Sequence, residues 1–98
     1  MQRTIQFQLN EGCEMTFKTV KKNSNDSSVL VLQTVFRMMQ YLGADGKPIE
    51  ITGKCDANTV YAINTFQTKQ RAYGVECGTN GKNDSSFGPK CWSILLGE

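Results

Sequence analysis

The chain has no histidine, and its four cysteines, Cys13, Cys55, Cys77 and Cys91, include no CxxC pair. Zinc-ligand spacing is therefore missing, and catalysis through an imidazole base is excluded. Charge of one sign is not in excess. A formal net charge of +2, with Lys21-Lys22 the only adjacent basic pair, offers no basic stripe for nucleic acid. No apolar run approaches the length of a membrane span. No signal peptide is visible either, because Met1-Gln2-Arg3 leads into alternating polar and apolar residues. The acidic residues are scattered, without a carboxylate pair at helical spacing in an apolar stripe, and a cysteine nucleophile would need a nearby base. No catalytic residue, metal ligand or cofactor is expected.

What remains is an ordinary globular composition, 39% hydrophobic and 20% charged over 98 residues, enough for one domain with a modest core. Four cysteines allow three pairings. A Cys77–Cys91 bond, across a loop that returns to the core, and four reduced, mostly buried thiols are both open readings.

Residues 4–9 alternate polar and apolar with period two, and residues 14–20 read as a second strand with Met15 and Phe17 on one face. With Asn10-Glu11-Gly12 as the turn, they predict a β-hairpin extension over residues 1–22. The polar run 21–28 is a connector whose end, Asp26-Ser27-Ser28, supplies N-caps for a helix over 29–41. Leu32, Val35, Phe36, Met39 and Leu42 form its apolar stripe, and Gly43 is placed to end it. A second helix is expected over 57–71. Asp56 is its N-cap, Gly53 supplies the turn before it, and Thr59, Ala62, Ile63 and Phe66 point inward. The segment 74–86 is too polar for a core element. A short third helix follows over 87–97, with Pro89 at its first position, Trp92 and Leu95 packing inward, and Gly97 as its C-terminal cap.

Two half-motifs echo each other. Leu32-Gln33 sits on the first helix as Phe66-Gln67 sits on the second, and residues 53–59 resemble 81–92 as a loop feeding a helix. Thr52-Gly53, Asp56, Thr59, Ala62-Ile63 and Phe66-Gln67, followed by Asn80-Gly81, Phe87-Gly88 and Trp92 with Leu95, resemble the peptidoglycan-binding domain family found beside cell-wall hydrolases. That family reads LQ, then TGxxDxxTxxAVxxFQ, then xGxxTWxxL, and the likeness covers roughly residues 28–96. This chain departs from it in having Cys91 where the family has threonine, a longer 74–86 loop, and the N-terminal hairpin.

The fold expected is mainly α: a three-helix bundle over 28–98 with the hairpin added. Gln33 and Gln67 are expected to bond to loop backbone rather than to a ligand. The resemblance implies a non-catalytic module that binds peptidoglycan through a shallow groove of amide, hydroxyl and aromatic groups. Tyr41, Tyr61, Asn64, Tyr73, Asn80 and Asn83 are the ligand-binding candidates. The alternative is a small phage or phage-tail-like structural protein reusing the fold, with the hairpin joining a neighbouring subunit by strand addition. Cell wall or phage particle is the location these readings imply.

Overall fold

The computed structural model describes residues 3–5 and 15–97. Capping chemistry fixes where its helices begin. Asp26 accepts the Ser28 N–H at 2.8 Å and opens α1, Ser27–Met38. Asp56 accepts both the N–H and the hydroxyl of Thr59, at 3.0 and 3.1 Å, and opens α2, Ala57–Ala72. Helix α3, Pro89–Leu95, starts at Pro89, whose missing N–H would have had no helical partner there. Gly97, just beyond α3, takes the left-handed conformation expected of it (φ 77°). Among the described residues these three helices make the body of the protein.

Helix α1 ends differently from expectation. Gln40, not Gly43, takes the left-handed conformation (φ 63°). Its N–H donates to the Arg37 carbonyl at 3.0 Å, and the Tyr41 N–H donates to the Phe36 carbonyl at 2.9 Å. These bonds form a Schellman motif, and the Tyr41 and Phe36 rings stack at 5.1 Å to seal it. Because the helix stops at Met38, Met39 and Leu42 leave the buried stripe and are 44% and 47% exposed. Gly43 serves a different need, since a Cβ there would lie 2.6 Å from the Asn58 Cβ.

The core joins the helices to the chain entering them. Val29, Leu32 and Phe36 of α1 meet Ala62, Ile63 and Phe66 of α2 and Trp92 of α3. Phe87 touches Phe36, Phe66 and Trp92, with centroids 5.8, 5.1 and 5.0 Å apart. Phe17 stacks on Trp92 at 4.4 Å, and the Trp92 indole N–H donates to the Lys18 carbonyl at 3.1 Å.

Between Lys18 and Gly97 there is no strand. Val20, expected at the end of a hairpin strand, exchanges both backbone bonds with Phe87 at 3.1 and 2.7 Å and is fully buried. The connector is held likewise, by Asn23 N–H to the Cys55 carbonyl at 2.9 Å and Cys55 N–H to the Ser24 carbonyl at 2.8 Å. Before it, β1 (Arg3–Ile5) lies antiparallel to β2 (Met15–Phe17), with Thr4 opposite Thr16. The expected strand residues 6–9, the turn at Asn10-Glu11-Gly12, Cys13 and Glu14 lie outside the described residues. What is established is the mainly helical body, not a hairpin of the expected length. No described helix is long and apolar enough to cross a membrane.

Candidate binding groove

Two buried glutamines set the loops around α2. Gln33 accepts the N–H groups of Thr52 and Gly53, both at 2.9 Å. Its amide donates to the Lys54 carbonyl at 2.9 Å and to the Thr59 hydroxyl at 3.0 Å. Gln67 accepts the Asp84 N–H at 3.1 Å and donates to the Asp84 carboxylate and the Ser86 carbonyl, both at 2.8 Å. Its amide also lies 3.6 Å from the Cys91 sulfur. Both side chains are fully buried, so satisfying their polar atoms is what makes burial tolerable. This is the helix-to-loop role that their position on the helices implied.

Between the loops so held, the outward face of α2 carries Tyr61, Asn64, Thr65, Thr68 and Lys69, which fall at i, i+3, i+4, i+7 and i+8 and hence share one face. With Asn83 from the 74–86 segment they line a hollow of about 390 Å³. A second hollow of about 280 Å³ shares Tyr61, Thr65 and Lys69 and is closed by Gln40, Tyr41 and Leu42. The two hollows adjoin at the three shared residues and together make the candidate groove. Lys69 is the only charged residue lining either part. Its ammonium sits 4.7 Å above the Tyr41 ring and has no ion-pair partner among the described residues.

The six candidate residues separate on this geometry. Tyr41, Tyr61, Asn64 and Asn83 line the groove. Tyr73 (82% exposed) and Asn80 do not. Asn80 and Gly81 have φ of 52° and 76°, and Thr79 and Lys82 exchange backbone bonds around them, a type I′ turn for which Asn-Gly is the preferred pair.

Within the groove the two amides are already engaged. Asn64 accepts the Ser85 N–H at 3.2 Å and donates to its hydroxyl at 3.1 Å, holding Ser85 at φ 60°. Asn83 donates to the Thr68 hydroxyl at 2.9 Å and accepts from Arg71 at 3.1 Å. Tyr41 is 7% exposed and belongs to the helix cap as much as to the groove. Burial, with the nearby Tyr73, raises its pKa. The ring of Tyr61, 51% exposed, and the ammonium of Lys69 stay open to solvent, as do Gln40 and Leu42 at the far end. Thr65, Thr68 and Lys69 were missed from sequence, although their i+4, i+7 and i+8 spacing from Tyr61 puts them on its face.

The loop wall is held by charge-assisted bonds. Arg71 pairs with Glu76 at 3.3 Å, and its hydrogen bond, with that of the Gly78 N–H, holds the Glu76 carboxyl below its ordinary range. Burial pushes Asp84 upward, but bonds from Gln67, Thr79 and the Ser86 N–H outweigh it and leave its carboxyl lowered.

Cys55, Cys77 and Cys91 are buried free thiols. Burial, then the charge of Asp56, pushes Cys55 up to about 11. Burial and a bond to Cys91 push Cys77 up to about 12, and burial raises Cys91 too. A nucleophilic cysteine needs the opposite shift. No cluster of three or more potential metal-ligating side chains occurs among the described residues. Comparison with protein-family models, characterised proteins and solved structures found no match.

Proposed function

We propose that the chain is a non-catalytic module that binds peptidoglycan through the groove on α2. The observation that carries this reading is the exposed Tyr61 ring set beside Lys69 in a groove lined by no carboxylate. Amino-sugar rings and alanine methyls offer apolar faces to an aromatic ring, and stem peptides offer carboxylates to an ammonium. The resemblance of residues 28–96 to peptidoglycan-binding domains points to the same polymer. A module of this kind would bring a lytic or wall-penetrating assembly to its substrate.

The test is co-sedimentation of the full chain with purified sacculi. Tyr61→Ala and Lys69→Ala should each weaken retention by about tenfold, equivalent to about 1.4 kcal/mol. Both side chains are outside the core, so circular dichroism should show unchanged folding. Absence of retention of the unaltered chain ends this reading.

A second reading, a phage or tail-like structural protein, draws support from the antiparallel register of β1 with β2. A ladder this short is marginal alone, and a strand added by a neighbouring subunit would extend it. Removal of residues 1–16, which spares the buried Phe17 and Val20, should then dissolve a defined oligomer seen by native mass spectrometry. A monomer before truncation counts against it.

A further inference from the structure

Cys77 and Cys91 meet beneath the 74–86 segment. The Cys91 thiol donates to the Cys77 carbonyl at 3.1 Å, which brings the two residues into contact. Both are buried. Cys91 occupies on α3 the place that Thr59 occupies on α2, each receiving the amide of a buried glutamine. Hydrogen bonding does not account for sulfur there. The Thr59 hydroxyl takes the Gln33 amide at 3.0 Å, whereas the Cys91 sulfur, a weak acceptor, stands 3.6 Å from Gln67. What a thiol adds over a hydroxyl at this place is the ability to bond covalently to its neighbour.

We infer that Cys77 and Cys91 are an oxidisable pair that closes into a disulfide on meeting a disulfide oxidant, either a small-molecule disulfide or the disulfide of an oxidase. One thiolate attacks the oxidant's disulfide, releasing one thiolate and leaving a mixed disulfide. The second thiolate then attacks the protein sulfur of that mixed disulfide and expels the other half of the oxidant. Two protons leave the cysteines and two electrons pass to the oxidant, which ends as two thiols. Burial of both thiols makes the reaction wait on opening of the 74–86 segment and makes it faster as pH rises. The bond ties that segment, and with it Asn83 in the groove wall, to α3. It leaves intact the Gln67 bonds to Asp84 and Ser86.

The experiment incubates the full chain at pH 8 in glutathione buffers of graded redox ratio, quenches with acid, alkylates, and maps peptides by mass spectrometry. A Cys77–Cys91 cross-linked peptide should dominate, and Tm should rise by roughly 10 °C, returning on reduction. The Tm of Cys91→Thr, which reinstates a hydroxyl as at Thr59, should not respond to the buffer. Cys77→Ser is a second variant with the same expectation. Glutathione adducts without an internal bond, cross-links dominated by Cys13 or Cys55, or a Tm that falls on oxidation would each overturn the inference. None of these outcomes bears on retention by sacculi.

Discussion

Gln33 and Gln67 grip successive loops in the same way. Thr52, Gly53, Lys54, Asp56 and Thr59 around the first correspond to Asp84, Ser85, Ser86, Gly88 and Cys91 around the second, each displaced by 32 residues. The correspondence extends to the backbone, since Gly53 and Ser85 both take left-handed conformations, at φ 82° and 60°. The body is a helix–loop–helix unit used twice with α2 shared, and the buried amide in each copy fixes the loop that feeds the next helix.

Replacing either glutamine by leucine should therefore cost far more than its modest change in volume suggests. Gln33→Leu strands the Thr52 and Gly53 N–H groups, and Gln67→Leu strands that of Asp84. A loss of about 3 kcal/mol is expected in urea denaturation for each. A loss under about 0.5 kcal/mol, the range of an ordinary surface change, would contradict the clamp.

The left-handed Gln40 at the end of α1 should gain from substitution. Its N–H bond survives in Gln40→Gly while the steric cost of a side chain at φ 63° disappears. Stability should rise by about 0.5–1 kcal/mol, read as a higher urea midpoint at unchanged slope.

Acid should loosen the 74–86 wall. Glu76 and Asp84 have lowered carboxyl pKa values in the folded state, so the stability they contribute is present above the unfolded carboxylate range. It is lost as pH falls from about 4 through the folded values. Asp84→Asn should reduce the dependence of Tm on pH between 2 and 5, because its amide does not titrate there. An unchanged dependence would remove Asp84 as a contributor.

Alkali should act through the thiols in the opposite sense. Cys55 at about 11 and Cys77 at about 12 stay neutral in the folded chain after the unfolded chain has begun to ionise. Their contribution is complete below an unfolded value of about 8.5 and declines as pH rises through the folded ones. Under reducing conditions, Cys77→Ser should flatten the fall in stability between pH 8.5 and 11.

What was legible in the sequence was local. Asp26 and Asp56 announce helix starts because a carboxylate can take the N–H groups there, and Pro89 and Gly97 mark the ends of α3 for equally local reasons. The inward row Thr59, Ala62, Ile63 and Phe66 follows from helical period alone. Period also misled, because a stripe through Met39 and Leu42 assumes a helix that the Schellman turn at Gln40 has already closed. Val20 and Phe87 pair across most of the chain, which no local pattern announces. The groove was half legible: aromatic and amide residues were selected by chemistry, but Asn64, Asn80 and Asn83 serve their own loops, and Lys69 matters only once Tyr41 is seen beneath it.

The most direct measurement of the central claim is a backbone amide NMR titration of the full chain with soluble muropeptides. Shifts should concentrate on residues 40–42 and 61–69 and on Asn83, saturate with concentration, and need about tenfold more ligand to saturate in Lys69→Ala. Saturable shifts elsewhere would contradict the groove as the proposed binding site, and none at all from a chain whose spectrum shows it folded would contradict the proposal that it binds peptidoglycan.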